Sequence, residues 1–328
     1  MKLNAEKITL YLALIGISSL LTFATYGDRD DQGQKDDLKK NYSIYSLPIP
    51  EHLDFAGEKV PIDQAEVREA FDRELLVNTY WQSQTVLFIK RSARYFPVIE
   101  KILKENGIPE DFKYLPLIES GFMPVVSPAG AVGFWQIMEG TGKQYGLEID
   151  REVDERYHLE KATRVACAYL KEAYAEFGSW TLAAASYNVG IAGLKKQLER
   201  QRETSYYALN LNLETARYVF RLLAVKEILQ DPESYGFHVR AKDRYLPLET
   251  FTVKVDSSIT HVSYLNQKYG INYRILKYHN PWLRMENLPN AQGKTYEFVI
   301  PKKQTDDIMD QAPEQAMEKP SSVHINDK

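Results

Sequence analysis

A single cysteine, Cys167, is all that the 328 residues contain, which rules out a disulfide within the chain and any Cys-rich zinc cage. Histidine is nearly as scarce. The six present show no HExxH spacing, so neither a metal nor another cofactor is expected. Charge of one sign is also lacking: 41 basic residues stand against 45 acidic ones, a net charge of −4, and nucleic acid is not an expected partner.

A long uncharged run opens the sequence. Lys2 and Lys7 precede Ile8 to Phe23, which carries no charge, and small residues follow around Ala24, the layout of a secretory signal. The uncharged stretch extends to Gly27, close to the ~20 residues that span a bilayer. Residues 1–26 therefore read as a signal peptide or as an uncleaved signal anchor that attaches the protein to a membrane. No cysteine lies nearby to accept a lipid. Residues 27–60 read as a linker, because Asp28 to Lys40 is polar and charge-mixed and cannot build a core.

From Asp63 the spacing is helical: Val67, Phe71, Leu75 and Leu76, then Val98, Ile102 and Leu103, recur at three- and four-residue steps. Asn106-Gly107 ends one helix, and Pro109 with Glu110 and Asp111 suits the start of the next. Further helices are expected over Lys161 to Phe177, closed by Gly178, over Thr181 to Tyr187, and over Leu213 to Gln230. From Phe251 the texture changes to short strands, Phe251 to Val255 and Tyr296 to Ile300. The expected fold is mainly α: a helical domain over 61–240, a small α+β module over 250–302, and a disordered tail over 303–328.

Glu119 draws attention because it lies between the apolar run Tyr114 to Ile118 and a loop of Gly, Phe, Met and Pro residues. Such surroundings raise a carboxyl pKa, which lets it act as a general acid at neutral pH. Pro116 either kinks a helix before Glu119 or starts a new one, and these two outcomes place opposite dipole ends nearby. Ser120 could orient the carboxylate. Downstream, Gly133-Phe134-Trp135-Gln136-Ile137-Met138 combines a glycine that permits close backbone approach with an amide that both donates and accepts. Tyr187-Asn188 adds a stacking and hydrogen-bonding pair, and Glu214 and Tyr218, four residues apart, share a helix face.

In that order and spacing, Leu115 to Phe122, Ser127-Pro128-Ala129-Gly130-Ala131, Gly133-Phe134-Trp135-Gln136, Thr141-Gly142, Asp154-Glu155-Arg156, Ala184 to Gly190 and Glu214 to Val219 resemble one family. It is the soluble-lytic-transglycosylase catalytic domain, glycoside hydrolase family 23, and the resemblance covers about 96–236. It implies a goose-lysozyme-like helical fold that cleaves the β-1,4 bond between N-acetylmuramic acid and N-acetylglucosamine in peptidoglycan without water, leaving 1,6-anhydromuramoyl ends. Glu119 would be the sole acid and then base, supported by Ser120. Gln136, Met138, Tyr187, Asn188, Glu214 and Tyr218 would line the glycan groove. Glu139 departs from the family, which commonly has proline there. Substrate and export together imply the periplasm or cell envelope. The alternatives are a hydrolytic muramidase, in which Glu214, Glu139 or Asp154 must position water, and a non-catalytic peptidoglycan-binding protein.

Residues 251–301 resemble a LysM module, a βααβ fold that binds N-acetylglucosamine polymers, in Val253 to Ile259, Lys268-Tyr269-Gly270, Asn280-Pro281-Trp282-Leu283 and Phe298 to Pro301. Peptidoglycan glycan strands and that polymer are thus the expected partners. Cys167, within an apolar helical stripe, reads as a small buried hydrophobe.

Overall fold

The computed structural model describes residues 44–302. The expected signal or anchor, the first half of the linker and the tail lie outside the described residues. Among the described residues, no helix is long and apolar enough to cross a membrane. One unit comprises residues 47–237 and 245–302; a second includes residues 238–244, where Arg240 pairs with Asp243 at 2.6 Å.

The chain enters the main unit through a hairpin, β1 (Asp54–Phe55) and β2 (Glu58–Lys59). Ala56 and Gly57 turn it at φ 53° and 79°, the paired left-handed values that match the twist of two short strands. Leu53, Phe55, Val60 and Ile62 are buried, so the linker ends before residue 60. Ile44 and Tyr45 are exposed, and Leu53 is the first side chain to join the core. Asp111 holds the hairpin in place, accepting from Ala56 N at 2.7 Å and from the buried Lys226 Nζ at 2.7 Å.

Helices α1 (Ala65–Tyr80) and α2 (Gln82–Glu105) follow, then α3 (Leu115–Ser120), α4 (Glu139–Gln144), α5 (Leu159–Phe177), α6 (Trp180–Val189), α7 (Ile191–Gln201) and α8 (Leu213–Gln230). Helix α8 packs against α1 and α6 and buries Tyr218, Val219, Leu222, Leu223, Val225 and Ile228, too wide a spread for one stripe, as befits a central helix. Asn212 caps its start, accepting from Thr215 N at 3.0 Å. The fully buried Glu74 of α1 accepts from Arg217 Nε of α8 at 2.6 Å and from Arg73 Nη1 at 2.5 Å, so its buried charge is paired twice. Glu58 of the hairpin reaches the first turn of α6, accepting from Trp180 N at 2.5 Å and Thr181 N at 2.9 Å. Burial alone would raise the Glu58 carboxyl, but these bonds and those from Thr181 and Ser179 hold it below the usual range.

The C-terminal βααβ segment comprises β3 (Thr250–Val255), α9 (Ser263–Tyr269), α10 (Tyr273–His279) and β4 (Tyr296–Pro301). The strands pair antiparallel from Thr250↔Pro301 to Val255↔Tyr296. Asn280 is buried and exchanges two hydrogen bonds with the backbone of Val299, each 2.8 Å, which ties the end of α10 to β4. The core of this segment is continuous with the helical domain: Val132, Val153 and Tyr157 pack with Leu283, Phe298 and Ile300. The architecture is mainly α, with two small antiparallel sheets.

Candidate active site

Pro116 sits in the first turn of α3, and Gly121 ends the helix in a left-handed conformation, φ 60°, with its N–H on Leu117 O. Pro116 therefore starts a helix, which resolves the question left open by the sequence. Glu119 lies beside the C-terminal, carbonyl-rich end, where the dipole disfavours a carboxylate. Gly121 cannot be replaced easily, because a Cβ there would come within 3.0 Å of Gln84 Nε2 and 3.2 Å of Phe88. The buried Arg91 donates to its carbonyl at 2.8 Å.

The carboxyl of Glu119 borders a cleft of about 260 Å³. Burial pushes its pKa up to about 7; the Tyr218 hydroxyl and the Arg221 charge pull it down, and the Glu214 charge pushes it up. Tyr218 is buried on α8 and donates its phenolic hydrogen to Glu119 Oε1. Tyr187, at the end of α6, donates to Trp135 O at 2.8 Å, and its phenol lies near enough to Glu119 for the carboxylate to oppose its ionisation. Asn188 donates through Nδ2 to Glu214 Oε1 at 3.1 Å and accepts at Oδ1 from Thr215 Oγ1 at 2.7 Å. Asn188 and Glu214 are thus joined across α6 and α8 and Tyr218 bonds Glu119, while Tyr187, Asn188, Glu214 and Tyr218 are not among the residues that line the cleft.

The other candidates are placed differently. Ser120 does not reach the carboxylate; its hydroxyl donates to Phe134 O at 2.7 Å or to Pro116 O at 3.1 Å, strapping α3 to the 132–137 turn. Gln136 adopts φ 47° and donates through Nε2 to Gly133 O at 2.7 Å and Val125 O at 3.1 Å. Its donors shape the turn, which leaves the amide oxygen to offer elsewhere. Met138 is 46% exposed just before α4. Trp135 is buried and donates to Thr163 Oγ1 at 2.8 Å. Glu139 is exposed and pairs with Lys143 at 2.6 Å. Asp154 is buried, with both oxygens engaged by Arg156 at 2.9 and 2.7 Å.

Six lining residues escaped the sequence reading, the apolar Phe88 and Val125 and four others: Asn78, Trp81, Gln84 and Arg221. Trp81 is 60% exposed at the junction of α1 and α2, a costly place for an indole unless a ligand uses it. Arg221 was the most legible of the four, since residues 214, 218 and 221 share a helix face. Its Nε is buried without a hydrogen-bond partner.

Two stretches of the chain match known families. Residues 96–210 match the Transglycosylase SLT domain family. Over those residues the chain carries an SLT-type domain. Residues 251–304 match the soluble lytic transglycosylase C-terminal LysM-like domain. A membrane-bound lytic murein transglycosylase D of Escherichia coli K12 is 29% identical over 263 residues, 77% of this chain and 56% of that protein. A putative tributyltin chloride resistance protein of Alteromonas is 30% identical over 105 residues, 30% of this chain and 51% of its own length. The chain thus spans about half the length of the curated relatives it matches. Among solved structures, lytic transglycosylase Slt of Pseudomonas aeruginosa aligns at 23% identity over 46% of this chain and 26% of its own, with a TM-score of 0.36. The soluble lytic transglycosylase of Escherichia coli aligns at 21% identity over 55% of this chain and 32% of its own, with a TM-score of 0.37.

Proposed function

We propose that the protein is an exported peptidoglycan lytic transglycosylase of the periplasm or cell envelope, with Glu119 as its single acid and base. The observation that carries this reading is one half-buried carboxyl, held near pH 7, in a cleft whose other acidic candidates are spent or distant. Asp154 is consumed by Arg156, and Glu139 by Lys143. Glu214 is exposed and bound by Asn188.

A pKa near neutrality suits both half-reactions. Protonated Glu119 gives its hydrogen to the glycosidic oxygen as the bond from that oxygen to the muramoyl C1 breaks. The carboxylate then takes the hydrogen of the muramoyl 6-hydroxyl while that oxygen bonds to C1, and the 1,6-anhydro ring closes. Glu119 ends protonated, and no water enters or leaves. Ordinary glycosidases need two carboxyls, about 5–5.5 Å apart when retaining and 6.5–9.5 Å when inverting; an internal nucleophile removes the need for the second. Trp81 offers a face for sugar stacking at one end of the cleft, with Asn78 and Gln84 offering amides, and Gln136, Met138, Tyr187 and Asn188 bind on the other. The LysM-like module binds N-acetylglucosamine polymer, and the N-terminal segment directs export and, if retained, holds the protein to a membrane.

Mass spectrometry of digested sacculi tests the reaction. Anhydromuramoyl ends, lighter by one water than reducing ends, support it; reducing ends alone would establish a hydrolase.

A further inference from the structure

The C-terminal module reads in sequence as a separate glycan binder, yet in the fold it is built into the helical domain. Leu283 bridges Val153 in a short antiparallel pairing, with Asp154 N donating to Trp282 O and Arg284 N to Glu152 O, each at 2.8 Å. The guanidinium of Arg284 lies 4.0 Å over the ring of Tyr157. Lys294 Nζ and Tyr296 Oη both donate to Glu148 Oε1 at 3.0 Å. From inside the module, Lys277 Nζ donates to Leu283 O and Met285 O and so fixes the loop that makes the pairing.

The segment gripped in this way is itself the footing of the cleft. Arg156, forked onto Asp154, also reaches Gly130 O and Ile137 O, each at 3.4 Å. A Cβ on Gly133 would stand 2.1 Å from Arg156 O, so the two backbones touch. The turn above them is closed by reciprocal bonds between Val132 and Ile137, 3.1 and 3.0 Å. That turn receives the hydroxyls of Ser120 at Phe134 O and of Tyr187 at Trp135 O. Ser120 adjoins Glu119, and Tyr187 stands across from it.

From this chain of contacts we infer that the LysM-like module is a strut of the reaction cleft, with Arg284 a positioning residue that holds the 130–137 turn through residues 152–157. The inference rests on the transglycosylase reading only for its kinetic arm. Misplacement of about 1 Å at a reacting centre can cost on the order of a hundredfold, so a loosened footing reads out in turnover more than in binding.

The test uses the full chain. Arg284→Ala removes the cation from the Tyr157 ring, Arg284→Lys keeps one there, and Lys294→Ala removes the milder contact with Glu148. Tyr264→Ala, on an exposed position of the module, is the control. Hydrogen exchange of the Val132 and Ile137 amides should quicken about tenfold in Arg284→Ala, less in Lys294→Ala, and return most of the way in Arg284→Lys. Amides of α8 should not change. On a soluble tetrasaccharide too short to engage a second site, kcat should fall about tenfold in Arg284→Ala with KM within about twofold. Unchanged exchange at 130–137, or faster exchange throughout the protein, overturns the strut. The exchange arm needs no turnover, so a finding of hydrolytic products would sink the reaction reading and leave this inference standing.

Discussion

Tyr218→Phe isolates the device that sets the acidity of Glu119. Tyr218 donates its hydroxyl to Glu119 Oε1, and that bond favours the ionised carboxylate against burial, which holds the pKa at about 7. A hydrogen bond to a charged group is worth about 1.5–3 kcal/mol, and one pKa unit corresponds to about 1.4 kcal/mol. Removing the hydroxyl while keeping the ring should therefore raise the Glu119 pKa by about 1–2 units. The first step needs the protonated acid, so kcat/KM is level below the pKa and falls above it. The falling limb, near pH 7 in the parent, should move to higher pH in the variant. Its measurement on a soluble glycan, beside a carbon-13 carboxyl titration of the free protein, checks the shift with and without substrate. A limb that stays in place, or moves to lower pH, would show that the contact does not stabilise the carboxylate and that something else sets the acidity.

Glu119→Gln removes the proton while preserving shape, and should cost about 10²–10⁴ in kcat while glycan still binds in a pull-down; unaltered turnover would take Glu119 out of the chemistry. Gly133→Ala forces a Cβ to 2.1 Å from Arg156 O at φ 80° and should destabilise by at least about 3 kcal/mol. Gly130→Ala, also at positive φ but with open space around it, should cost only about 1–2 kcal/mol; equal thermal midpoints for the two would refute the close approach. Glu58→Gln weakens four contacts at the start of α6 and should lower stability by about 1–2 kcal/mol at pH 7. Because the Glu58 pKa is depressed on folding, that deficit is full above the usual carboxylate range and should vanish as the pH drops below it.

Much of this was written in local pattern. The limits of α8 match the expected Leu213 to Gln230, between Asn212 as a cap and Asp231-Pro232. The β3 and β4 segments showed as short apolar-rich stretches, and their pairing needed only a plausible module. The role of Ser120 was not legible in the same way: a serine next to an acid points nowhere until the 132–137 turn is folded onto α3. Gln136 likewise spends its amide hydrogens on its own turn, a consequence of its φ of 47°, which no spacing announces. Asp154 looked available as a second carboxylate because sequence shows neighbours in number, and only geometry shows Arg156 folding back to occupy it. The hairpin at residues 54–59 was hidden by its polar surroundings. The docking of the module was the largest blind spot, since contacts such as Leu283 with Val153 join positions far apart in the chain and carry no periodicity.

Glu119, which lines the cleft, and Glu214, which does not, show how environment sets like groups apart. Glu119 sits at a helix C-terminus in an apolar wall. Glu214 is exposed, held by Asn188, whose own orientation is fixed by Thr215. The Glu214 charge raises the Glu119 pKa. A second-base role for Glu214 and a purely electrostatic one make different forecasts. If it only contributes field, Glu214→Gln should move the falling limb of kcat/KM to lower pH, opposite to Tyr218→Phe, by a few tenths of a unit at most, because solvent screens it. Raising the ionic strength of the parent should reproduce part of that shift, whereas the Tyr218 effect, a buried contact, should resist salt. If Glu214 instead activates water, its loss should lower kcat by the ~10²–10⁴ of a general base and remove any reducing-end product. A small downward, salt-mimicked shift with undiminished anhydro product would leave Glu119 alone in proton transfer.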